Sequence, residues 1–146
     1  MTAPGIRVPV AASVSSEAIV PVRALRFVER AAAGAGVLFV GVVRDHDHGR
    51  SVTALEYLAH PSAAGVLTAT VQRVLLGHPG VLAVQAQHRT GPLRIGEPAF
   101  VVAVSGAHRG DAFAACEDIV EQAKARVPIW KRQVFTDGTE EWVNCP

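Results

Sequence analysis

"AFVVAVSGAHRGDAFAACEDIVEQAKARVPIWKRQVF", residues 99–135, carries the reading that decides the fold. Its first nine residues, valine-rich and apolar but for Ser105, read as a buried strand. The polar step "HRGD" leads into a run predicted to be helical, with Asp111 as its N-cap. Pro128 biases Val127 away from helical geometry and stops that helix. "IWKRQVF" and "EEWVN" then flank "TDG" as a closing hairpin. A strand, a helix and a hairpin in direct succession point to an α+β domain with mainly antiparallel sheet.

The chain upstream supplies the remaining elements. "PVRALRFVERAAA", residues 21–33, places Val22, Leu25, Val28 and Ala32 at helical spacing behind a first-turn proline, and Gly34 and Gly36 are expected to end that helix. "VLFVGVV", residues 37–43, reads as a buried strand. After the polar stretch "RDHDHGR", residues 44–50, "SVTALEYLA" reads as its hairpin partner, which predicts a protruding hairpin. Pro61 opens a second helix reaching about Gly77, with Val66, Thr70, Val74 and Leu75 on one side. "VLAVQAQHR", residues 81–89, alternates as a strand with one covered face, and "TGPLRIGEP" is rich in turn residues. Residues 1–20 lack a sustained period and are expected to form a flexible or edge segment, leaving residues 21–146 as the domain proper.

With 146 residues, a net charge of +1 and 18% charged residues, the composition is that of one globular domain. It gives no global reason to expect nucleic acid or membrane binding, so any anion site must be local. Cys116 and Cys145 lie far apart, without a C-x-x-C spacing or a secretory signal, which points to a reducing cytoplasm and no disulfide. No apolar run approaches the ~20 residues of a membrane helix. Phosphate-loop, dinucleotide and G-x-S-x-G signatures are absent from the sequence.

The residues that can carry chemistry gather near the helix of the opening stretch. Projection at helical spacing puts Phe113, Cys116, Val120, Lys124 and Val127 on one stripe, so Lys124 falls on the apolar side. Two readings stand: a lysine that complements the helix dipole and reaches outward, or an amine at the wall of a cleft, useful as acid, base or nucleophile. Lys131 shares a strand face with Ile129, opposite to Trp130, and is either a solvated residue or a second ammonium group in the same hollow. His108 and Arg109 stand at the helix N-terminus, where free N–H groups favour anions, and Arg44 emerges from a strand end. Each of these can bind phosphate or make local contacts only.

Arg109 and Lys124 lie fifteen residues apart on one helix, roughly 20 Å along its axis, too far for one small ligand. If both serve one site, a second protomer supplies His108 and Arg109, which predicts a symmetric homodimer with shared sites. "DHDH", residues 45–48, has adjacent ligands in a glycine turn and lacks the usual spacing of a metal site, so no metal and no cofactor is assigned. Cys116 reads as a packed core thiol, and Cys145 has no visible activating neighbour.

Four stretches, "FVGVVRDHDHGRSVTALEY", "HRTGPLRIGE", "VAVSGAHRGDAF" and "KARVPIWKRQ", in this order and spacing, make the chain resemble the large, catalytic subunit family of molybdopterin synthase over residues 34–143. The resemblance implies a sulfurtransferase. Such an enzyme moves sulfur from the thiocarboxylated Gly-Gly tail of a small ubiquitin-like subunit onto cyclic pyranopterin monophosphate, forming the dithiolene of molybdopterin. It also implies an α+β fold and a central dimer with one small subunit at each end. Lys124 and Lys131 match the family's catalytic lysines, and Arg44, His108 and Arg109 match substrate-binding positions. Val42, Val43, Arg132 and Gln133 adjoin the matched positions and join the expected substrate-binding set. The family pattern carries a glutamate where this chain has Gln133, and a methionine near Ser62 or Ala63 is missing. Beside this reading stand a scaffold or phosphorylated-metabolite-binding module without turnover, and an interaction protein whose basic residues are solvated faces.

Overall fold

The computed structural model describes residues 8–145. The elements run β1 (Val10–Ser15), α1 (Pro21–Val28), β2 (Ala35–Val42), β3 (His46–Asp47), β4 (Arg50–Ala59), α2 (Ala63–Leu75), β5 (Val81–Arg89), β6 (Gly91–Leu93), β7 (Pro98–Gly106), α3 (Arg109–Arg126), β8 (Ile129–Phe135) and β9 (Glu140–Cys145). They build two sheets. The first has the order β1-β5-β7-β2, antiparallel except where β1 runs parallel to β5. The second has the order β3-β4-β8-β9, with β6 paired to β4, and is antiparallel throughout. The architecture is α+β, and the hairpin closing the chain joins β8 to β9.

The apolar run of β7 has its cause in this layout. As an inner strand it is covered on both faces, and Val101 and Ala103 pack with Ala24 and Val28 of α1. Phe100, Val102 and Val104 face the other way, into the core shared with α2 and α3. That core continues into the second sheet through Leu55, Tyr57, Leu93 and Ile129. The fully buried Ile119 and Ile129 each contribute on the order of 1.5–3 kcal/mol by leaving water.

Several expectations need correction. β2 and β4 do not form a hairpin: β2 pairs with β7, whereas β4 pairs with β8 in the other sheet. The polar stretch between them folds instead into the short β3–β4 hairpin, whose central residues His48 and Gly49 both have positive φ, 49° and 77°. That backbone twist suits a two-residue hairpin loop and accommodates glycine at the second position. β2 is an edge strand, so its apolar residues are only half covered and Val42 stays 49% exposed.

α1 ends at Val28, before the predicted glycine stop. Gly34 serves another purpose: a Cβ there would lie 2.5 Å from the Ala107 carbonyl oxygen, so only glycine fits this close passage of the chain. α3 begins with His108, not Asp111, as its cap. The His108 N–H donates to Asp111 Oδ2 at 3.2 Å, so the carboxylate reaches back from the first turn. The buried side of α3 is also turned from the predicted stripe. Ala112, Ala115, Cys116, Ile119, Val120 and Ala123 face inward, because alanines let the helix sit close on the sheet, and Phe113 is 62% exposed.

Where the two sheets meet, His88 is buried between rings from both. It stacks on Phe100 of β7 with centroids 5.4 Å apart and meets the edge of Tyr57 of β4 at 4.9 Å. Its Nδ1 lies 2.9 Å from the Arg89 carbonyl oxygen and donates to it. Burial drives the imidazole down from 6.5 to about 4, against the smaller opposing effect of that hydrogen bond. A histidine with a lowered folded pKa contributes stability that is complete above 6.5 and is lost as the pH falls toward 4. Urea unfolding at about pH 7 and about pH 4.5 is expected to differ by about 2–3 kcal/mol through this group. His88→Gln should flatten that difference, and an unchanged slope in the variant would assign the acid sensitivity elsewhere.

Candidate active site between the two sheets

A cleft of about 380 Å³ opens where β2, β5 and β7 approach β4, β8 and the end of α3. Phe39, Gly41 and Val42 of β2, His88 of β5 and Ala99 and Phe100 of β7 form the wall from the first sheet. Tyr57 and Lys131 come from the second sheet, Lys124 from the last turns of α3, and Arg44 from the chain just beyond β2. The cleft therefore has an aromatic floor and a cationic rim.

Each cation reaches it for a local reason. Lys131 lies directly opposite Tyr57 in the β4–β8 ladder, on the strand face that also carries Ile129 and Gln133. Pro128 follows the helix, so the chain turns at once into β8 and brings Lys131 back past the helix end that holds Lys124. Lys124 is exposed at the margin of the buried face of α3, not within it. Arg44 follows a break in the β2–β7 register between Gly41 and Val42, which re-aims the end of β2.

Beside this rim lies a buried carboxylate. Asp47 Oδ2 accepts a hydrogen bond from Gln133 Nε2 at 2.7 Å, and Arg44 Nη2 donates to Asp47 Oδ1 at 3.3 Å. The Gln133 hydrogen bond, followed by the charges of His48, Lys131 and Arg44, holds the Asp47 carboxyl below the usual carboxylate range despite its burial. Gln133, at 2% exposure, is thus buried against Asp47 and does not line the cleft. Elsewhere in the same polar stretch, Asp45 Oδ1 pairs with His46 Nδ1 at 2.7 Å.

The cleft brings together four of the residues singled out in the sequence: Val42, Arg44, Lys124 and Lys131. Val43 departs from the expected substrate-binding set. Its side chain lies in the core, and its backbone bonds to Glu97 and Gly96. Arg132 points to the opposite face of β8 and pairs with Glu140 at 3.2 Å, because side chains alternate along a strand. His108 and Arg109 are exposed at the far end of α3 and do not line this cleft within one chain. Cys116 is a free, buried thiol, pushed up to about 11 by burial, which suits packing and not nucleophilic attack.

Sequence reading missed Phe39, Tyr57, His88, Phe100 and Asp47. A usable signal existed for His88, which shares with Val84 and Ala86 the alternating face of β5. The pairing of Asp47 with Gln133, 86 residues apart, left no signal of that kind.

Comparison with known proteins fits this arrangement. The molybdopterin synthase catalytic subunit of Aspergillus fumigatus is 41% identical over 127 residues, covering 84% of this chain and 65% of that protein. The subunit of the same name from Pyrococcus abyssi is 38% identical over 120 residues, covering 82% of this chain and 80% of that one. A crystal structure of molybdopterin synthase from Staphylococcus aureus superposes with a TM-score of 0.84 at 34% identity, covering 90% of this chain and 96% of that one. The chain thus spans just under two thirds of the Aspergillus relative and nearly the whole Staphylococcus chain. The family model described as MoaE protein matches residues 14–126, from β1 through α3, and with these likenesses it places the chain in the MoaE protein family.

Proposed function

We propose that this protein is the catalytic subunit of a molybdopterin synthase. It would move sulfur from the thiocarboxylated C-terminus of a small ubiquitin-like subunit onto cyclic pyranopterin monophosphate. The observation that carries the reading is the convergence of Lys124, Lys131 and Arg44 on one cleft with an aromatic floor. An anionic, planar substrate and an anionic acyl donor both suit such a site. The buried free thiol of Cys116 accords with a reducing, cytoplasmic setting.

In this mechanism Arg44 takes the substrate phosphate. The Lys124 ammonium polarises the thiocarboxylate carbonyl while the sulfur attacks an oxygen-bearing carbon of the pterin side chain; the carbon–oxygen bond there breaks, and Lys124 gives a proton to the departing oxygen. Lys131 holds the substrate and balances charge on the acyl-linked intermediate. Water then cleaves the acyl carbon–sulfur bond, leaving the sulfur on the substrate and a carboxylate on the carrier. A second carrier repeats the step to complete the dithiolene.

His108 and Arg109 enter this scheme across a homodimer. Support for such a dimer comes from β2, an edge strand with Val40 and Val42 exposed, and from Phe113, exposed on the neighbouring face of α3. Apolar exposure of this kind is what a second copy would cover.

The direct test mixes the purified chain with thiocarboxylated small subunit and cyclic pyranopterin monophosphate, then follows molybdopterin as its fluorescent oxidised derivative. Lys124→Ala and Lys131→Ala are each expected to lower turnover by about 10²-fold or more. Stable carrier binding without product from the wild-type chain would make it a scaffold. The shared-site arrangement predicts complementation: a Lys124→Ala chain mixed with an Arg109→Ala chain should regain about a quarter of wild-type activity, since half the dimers carry one intact site. No recovery in a mixture shown to exchange protomers would place each site within a single chain.

A further inference from the structure

Arg44 is a long side chain, 63% exposed, yet the proposed chemistry requires its guanidinium to be in place before the substrate arrives. Among the described residues, Asp47 is its hydrogen-bond and ion-pair partner. Asp47 is itself held. It is the last residue of β3, next to the tight His48–Gly49 turn, and its carboxylate reaches across β4 to the Gln133 amide of β8. Gln133 is 2% exposed and shares a strand face with Lys131. A chain of contacts therefore runs from the rigid sheet to the long arginine: β8 backbone, Gln133, Asp47, Arg44.

We propose that Asp47 is a positioning residue for the anion-binding side of the cleft, fixing the Arg44 guanidinium relative to the face of β8 that carries Lys131. The two carboxylate oxygens divide the work, Oδ2 to Gln133 and Oδ1 to Arg44. Asp47 does not touch the substrate in this scheme. Its negative charge partly offsets the cationic rim, so that Arg44 and Lys131 stand close together without unrelieved repulsion. The proposal deepens the sulfurtransferase reading and rests on it for the identity of the anion, the cyclic phosphate diester of the substrate.

Two measurements on the full chain test it. The first needs no turnover. Side-chain ¹⁵N spectra of arginine-labelled protein should show a slowly rotating Arg44 guanidinium in the wild type, and free rotation in Asp47→Asn. The introduced amide oxygen can still accept from Gln133, so the fold survives, but its NH2 then faces Arg44 and offers the guanidinium no acceptor. An Arg44 equally mobile in both proteins overturns the proposal, whatever the enzyme does.

The second follows kinetics with cyclic pyranopterin monophosphate. Asp47→Asn is expected to raise KM about fivefold to tenfold and leave kcat within about twofold, because lost pre-organisation weakens binding of substrate and transition state alike. Combining Asp47→Asn with Gln133→Glu exchanges the two groups: the amide now at the β3 end donates to the carboxylate now on β8 and keeps its carbonyl oxygen for Arg44. KM should return to within about twofold of wild type. A fall in kcat at constant KM, or a lower melting temperature with KM intact, would make Asp47 something other than a positioning residue. Absence of product from the wild type would instead remove the sulfurtransferase reading and leave the spectroscopic result to decide the role of Asp47.

Discussion

The arrangement depends on β7 being covered on both faces. A strand with Val101 and Ala103 on one side and Phe100, Val102 and Val104 on the other cannot lie at the margin of a sheet without exposing one apolar row. It must have helices above and below and a strand on each side, which α1, α2, α3, β5 and β2 provide. α3 starts three residues after β7 ends, so its direction is tied to that buried strand. From this follows the place where Lys124 can stand.

The second constraint is the junction of the two sheets. His88, Tyr57 and Phe100 form a ring cluster there, and the same three residues make the floor of the cleft. Stability and site are therefore built from one set of contacts. A neutral, buried imidazole is tolerated because its Nδ1 proton is given to the Arg89 carbonyl. The cations are brought to the rim by other means: a proline-terminated helix for Lys124, strand alternation for Lys131 and a register break for Arg44. Each device is local, and only the packing of the two sheets makes them meet.

Edges mark where the described residues leave apolar surface uncovered. β2 leaves one side unpaired, with Val40 and Val42 exposed, and Phe113 is exposed on α3 near Val37 and Phe39. On the outer face of the second sheet, Trp130 lies opposite Asn144 and Trp142 opposite Arg132, both tryptophans being partly exposed. Apolar surface of this kind is what the proposed second copy and carrier protein would cover. His108 and Arg109 lie far along α3 from the cleft of their own chain.

Elements with local signals were legible before any folding was considered. β7, α3 with its Pro128 stop, the β8–β9 hairpin and the face of β8 carrying Lys131 belong here, because burial on two faces, a missing N–H and strand alternation act over a few residues. So does the family, since its motifs are runs of neighbouring residues. Strand partnership, by contrast, emerged only from packing. "VLFVGVV" and "SVTALEYLA" read as one hairpin, yet they belong to different sheets, because the energy of pairing comes from side chains distant in sequence. Packing also chose which side of α3 is buried, since the alanines that allow close approach carry little weight in a periodicity count. Finally, it placed Asp47 against Gln133 and drew Val43 into the core, outcomes of long-range contact that no spacing in the chain encodes.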